Sequence, residues 1–109
     1  MTILIFDENL LWSSRLKSGV EGTGNTAVVI DRMPLEPISA DIAIVNLASR
    51  AMPAETLIPL LKTQNIKVVA HAGHKEKPLL LVGQDSGADL VVTNGELTNK
   101  LAEILGRLG

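Results

Sequence analysis

Short unbroken apolar runs alternate along this chain with longer stretches whose apolar residues recur every third or fourth position. Ile3 to Phe6 is the first run, the pattern of a strand covered on both faces. Asp7-Glu8-Asn9 ends it, and Trp12, Leu16 and Val20 then mark one face of a helix from Leu10 to Val20. Gly22 and Gly24 stop that helix. Ala27 to Ile30 reads as a second strand. The following DRMPLEPISAD holds Pro34 and Pro37, so it allows a turn or two of helix at most. Ile42 to Val45 is the third strand. Pro53 suits the first turn of a helix reaching about Gln64, with Leu57, Ile58, Leu60 and Leu61 on its core side and a kink or late start expected from Pro59. Val68 to Ala70 is the fourth strand, followed by a loop HAGH. A helix from Leu79 to Ser86 ends at Gly87, Leu90 to Val92 is the fifth strand, and Glu96 to Leu108 is the clearest helix. Five strand-then-helix units, the second helix short or degraded, predict an α/β domain with a parallel sheet and right-handed crossovers. The common doubly wound solution at this length has strand order 2-1-3-4-5 and a crevice at the carboxyl ends of strands 1 and 3.

Composition narrows the chemistry. A chain of 109 residues fits one domain, residues 1–109, and buries about two-thirds of its surface in one core. Cysteine is absent, which excludes disulfides and thiolate metal sites and fits a cytoplasmic protein. The formal net charge of -2 comes without any block of Lys or Arg, so the basic stripe of a nucleic-acid binder is missing. Phe6 and Trp12 are the only aromatics, too few for base stacking. No apolar run approaches a membrane span, and MTILIF lacks the basic start of a signal peptide.

The topology would gather Asp7 and Glu8, Asn46, His71-Ala72-Gly73 and Thr93-Asn94 at the crevice. On ILIFDEN, ADIAIVNL, VVAHAGHKEK and GADLVVTNG, in this order and spacing, the chain resembles a response-regulator receiver domain over essentially its whole length. The resemblance implies a flavodoxin-like fold. It also implies a magnesium ion at two acids after strand 1, a phosphoacceptor aspartate after strand 3, a Ser/Thr after strand 4 and a lysine after strand 5. Asp7 and Glu8 keep the acids. Asn46 stands at the phosphoacceptor position, Ala72 at the hydroxyl position and Asn94 at the lysine position. An amide nitrogen is not a nucleophile, so Asn46 cannot form an acyl phosphate. Losing the aspartate together with the lysine avoids leaving one buried charge unpaired. The implied protein is a pseudo-receiver without phosphotransfer, acting by protein–protein contact in signalling or regulation.

Other features add smaller expectations. Asp7 and Glu8, with a carbonyl near Ala48 and water, make a weak magnesium site, set against the simpler role of Asp7 as the cap of the next helix. No other cofactor is implied. His71 and His74 match no strong metal spacing. Ser13, Ser14 and Ser49 form no nucleophilic arrangement with a histidine and an acid, so no enzyme is expected. EGTGNT lacks a lysine and precedes a strand, which makes it a plain turn. The run LLLV from Leu79 to Val82 sweeps most of a helix circumference, so one or two of its residues must meet solvent or a partner. In receivers the face made by helix 4, strand 5 and helix 5 is the usual partner surface. Leu79, Leu80, Val82 and Leu90 are therefore the candidates for a protein partner or a homodimer. A second reading uses the crevice of Asp7, Glu8, Asn46, His71 and Asn94 to hold a small molecule or a metal.

Overall fold

The computed structural model describes all residues, 1–109. Its elements are β1 (Thr2–Phe6), α1 (Leu10–Gly22), β2 (Thr26–Ile30), β3 (Ile42–Asn46), α2 (Ala54–Thr63), β4 (Lys67–Ala72), α3 (Lys77–Asp85), β5 (Leu90–Thr93), α4 (Asn94–Asn99) and α5 (Leu101–Leu108). The strands form one sheet in the order β2-β1-β3-β4-β5. All neighbouring pairs are parallel, with Phe6 opposite Val45 and Asn46 opposite His71. This is the flavodoxin-like doubly wound arrangement that the alternation of runs predicts. No helix is long and apolar enough to cross a membrane.

Strand alternation sorts the core into two halves. Ile3, Ile5, Ile42, Ile44, Val69 and Val92 meet Leu16 and Val20 of α1 with Leu101, Ile104 and Leu105 of α5. Leu4, Phe6, Ala43, Val45, Val68, Ala70 and Ala72 meet Leu57, Ile58 and Leu61 of α2. Helix α3 lies close on that second half: a Cβ on Gly83 would stand 3.1 to 3.3 Å from Leu47, Val91 and Ala70. Gly87 ends the helix with φ +97°, a conformation that favours glycine.

The stretch between β2 and β3, expected to hold a turn or two of helix at most, holds none. Met33 and Ile38 from that loop pack on the α2 side of the core instead. Pro34 and Pro37 remove the donors a helix would need there. The helix between β4 and β5, the fourth in the receiver pattern, is therefore α3 here. The structure departs from the sequence expectations at three places. The last helix is divided, because Lys100 (φ −125°, ψ 28°) leaves helical geometry between α4 and α5. It also starts earlier than expected, since Thr93 and Glu96 form a reciprocal cap. Strand β4 runs on to Ala72, so His71 and Ala72 are strand residues and not loop residues. Helix α2 starts directly after Pro53 and runs through Pro59, which lies on its exposed face, so the late start does not occur.

Candidate functional site

Period-two alternation decides which side chains meet at the crevice. Ile5, Ile44, Val69 and Val92 all face α1 and α5. Two residues further along each strand come Asp7, Asn46, His71 and Asn94, at the carboxyl edge of that same side. Ala72 has the opposite parity. Its methyl group belongs to the core half under α2 and α3, so it takes no part in the polar row. His71 occupies the place in the row that the sequence mapping gave to Ala72.

Asp7 is 1% exposed, yet both its oxygens have partners. Oδ1 accepts the Asn9 N–H at 2.9 Å, and Oδ2 accepts the Asn46 amide at 3.1 Å. Asn46 Oδ1 in turn accepts the Ala48 N–H at 2.9 Å. The cap of α1 is Asn9, whose side chain accepts from Trp12 N. Asp7 holds the turn before that cap and is not the cap itself. Glu8 reaches across to the loop after β3, where its Oε2 accepts from Ser49 Oγ (2.9 Å) and Ala51 N (3.2 Å). Ser49 Oγ accepts from Met52 N in the same turn. The resulting open cleft of about 560 Å³ is lined by Asp7, Glu8, Asn9, Asn46, Ala48, Arg50 and Ala51.

His71 is buried within this row. Its Nδ1 lies 2.7 Å from Asn94 Oδ1. Burial lowers its pKa below the ordinary 6.5, while the Asn94 bond and the charge of Asp7 oppose the shift without cancelling it. His74 is exposed, and no three His, Asp or Glu side chains converge as a metal cluster. Ser13 is buried and donates to Leu10 O, with no hydrogen bond to a histidine. Ser14 is exposed on α1. Of the LLLV run, Leu81 is 57% exposed, whereas Leu79, Leu80 and Val82 pack against the core. Leu90 packs against the other half. The reason is Gly83: it faces the sheet, and Leu81, two residues back on the helix, must then point away.

The magnesium site of receivers needs free carboxylate oxygens. Here both Asp7 oxygens and Oε2 of Glu8 accept hydrogen bonds from the chain, and a neutral amide replaces the third acid. A dication here would share oxygens already engaged by the chain and keep most of its waters.

No protein-family model matches the chain, and no curated protein matches it in sequence. Solved structures do match. The receiver domain of a Francisella response regulator superposes with a TM-score of 0.80 at 18% identity, covering 98% of this chain and 94% of that one. The receiver domain of a signal transduction histidine kinase from Syntrophus aciditrophicus gives 0.83 at 22% identity, covering 98% and 88%. A Burkholderia pseudomallei response regulator, described with a phosphorylated aspartic acid and a calcium ion, gives 0.75 at 19% identity, covering 99% and 66%. This is the receiver-domain fold. At these identities the likeness establishes the fold and leaves the chemistry to the residues. Sequence reasoning missed the Glu8–Ser49–Ala51 clasp, because those contacts join loops 41 residues or more apart in sequence. It also placed Ala72 in the row, although alternation counted from Val69 selects His71.

Proposed function

We propose that this chain is a receiver-like domain that works without phosphorylation, as a protein–protein interaction module in signalling or regulation. The observation that carries the reading is the Asn46 side chain. It stands at the end of β3, donates to Asp7 Oδ2 and accepts from Ala48 N. A phosphoacceptor there must present a free carboxylate oxygen as nucleophile. Asn46 presents none, and Asn94 supplies no cation for a phosphoryl group. The polar ends of the strands are bonded to one another, so the crevice is held in one arrangement without an incoming group.

Contact with another protein is then the remaining means of output. Leu81 on α3 supports this, an exposed leucine on the element equivalent to the usual receiver partner face. Leu79, Leu80 and Val82 pack beneath it on the α2 side of the core, whereas Leu90 lies on the opposite side of the sheet. The test is affinity capture of the tagged chain from its own cells, with Leu81→Glu as the control bait. A partner retained by the natural chain and lost with Leu81→Glu supports the reading. Identical captures with both baits overturn the assignment of this face.

A further inference from the structure

Two buried polar atoms have no hydrogen-bond partner, Trp12 Nε1 and His71 Nε2. They belong to neighbouring rings, with centroids 6.0 Å apart and planes inclined by 41°. Their chemistry is complementary. The indole N–H can only donate. His71 Nδ1 faces the Asn94 carbonyl oxygen at 2.7 Å, so Nδ1 carries the proton and Nε2 offers a lone pair. Buried donors and acceptors are nearly always satisfied, and a small ring rotation would turn the indole N–H toward Nε2.

We propose that Trp12, His71 and Asn94 form a proton-operated latch. It holds the first turn of α1 to the ends of β4 and β5 while the imidazole is neutral, and it releases that turn when the imidazole is protonated. Protonation turns Nε2 into a donor. It then faces the indole N–H, and two donors cannot share one bond. The new charge has a counter-ion within reach of its field, Asp7 on β1. The other elements around the ring offer neutral groups: Trp12 from α1, Asn46 opposite it on β3, Val92 on β5 and Asn94 at the start of α4. Arg15, Lys17, Glu96 and Lys100 on the helices of this side are exposed. Release matters for recognition, because Leu10 and Leu11 beside Trp12 are 73% and 70% exposed. Moving that turn moves an apolar patch. The transition belongs to the isolated chain and does not depend on the partner proposed above.

The chain has one tryptophan and no tyrosine, so its ultraviolet fluorescence reports on Trp12 alone. The experiment follows Trp12 emission from about pH 8 to about pH 4.5, the range in which a perturbed histidine titrates. Far-ultraviolet circular dichroism runs in parallel to show that the chain stays folded. The expected result is a one-proton change in emission with its midpoint below 6.5. It should be absent in His71→Gln and preserved in His74→Gln. Flat emission from the folded natural chain overturns the proposal, as does the same transition in His71→Gln. Should His71→Gln fail to fold, NMR of the natural chain decides. The His71 ring signals and the Trp12 indole N–H must then move with one midpoint, and an indole signal that ignores His71 overturns the latch.

Discussion

Restoring a carboxylate at position 46 is the sharpest perturbation of this site. Asn46→Asp removes the donor to Asp7 Oδ2 and sets a second negative charge about where the amide stood, 3.1 Å away. Two like charges at that distance repel by about 5 kcal/mol at an effective dielectric constant of about 20. The pair can avoid this by keeping one proton between them. At pH 7 that costs about 4 kcal/mol for a carboxyl of ordinary pKa, the smaller of the two figures and hence the ceiling on the loss. The lost hydrogen bond alone sets a floor of about 1 kcal/mol. Asn46→Asp should therefore cost between about 1 and about 4 kcal/mol at pH 7. Less should be lost near pH 5, where holding the proton is cheaper. Magnesium neutralises a pair of facing acids, so it should recover stability in the variant and add little to the natural chain. Urea unfolding at both pH values, with and without millimolar magnesium, measures all of this. Unchanged stability of Asn46→Asp at pH 7, or an equal magnesium effect on both proteins, would refute the reasoning.

Other parts of the molecule yield further expectations. Burial raises the Asp89 pKa, but the Lys62 ammonium at 2.6 Å and the Val68 N–H pull it down further, so the net shift is downward. Its contribution to stability is complete above the ordinary carboxyl value and fades as pH falls through its lower folded value. Lys62→Met should flatten that acid limb in thermal melts taken across about pH 2 to 5, and an unaltered limb would remove Asp89 from the account. Gly83→Ala should destabilise by up to about 2 kcal/mol, because the new methyl presses on Leu47, Val91 and Ala70 while helix propensity returns about 1 kcal/mol; urea unfolding reads the loss. Leu81→Glu should leave stability within about 0.5 kcal/mol, as an exposed position allows, and a larger loss would show that Leu81 belongs to the core.

Much of the fold was readable from the sequence. The continuous apolar runs at Ile3–Phe6 and Ile42–Val45 announce strands covered on both faces, and strand–helix alternation with right-handed crossovers leaves few sheet orders to choose from. The candidate site was readable in part. Asp7, Asn46 and Asn94 are at the strand ends where the alternation places them. Ala72 was misplaced because β4 was ended at Ala70; carried on to Ala72, the strand turns His71 toward α1 and Ala72 into the core. The contact between Trp12 and His71 was not readable, since it depends on how α1 is seated across the sheet. Leu81 was passed over within its run because α3 is oriented by Gly83, and a glycine's close approach leaves no periodic signal.

The proposed function requires that this cleft take no phosphoryl group, since Asn46 offers no nucleophile. Incubating the purified chain with acetyl phosphate and magnesium, then measuring intact mass and mapping peptides, tests it most directly. The account predicts no phosphoryl adduct, including on Asp7 and Glu8, under conditions that label an active receiver domain run alongside. A phosphoryl group on Asp7, Glu8, Asn46 or a neighbouring residue of the cleft would contradict it.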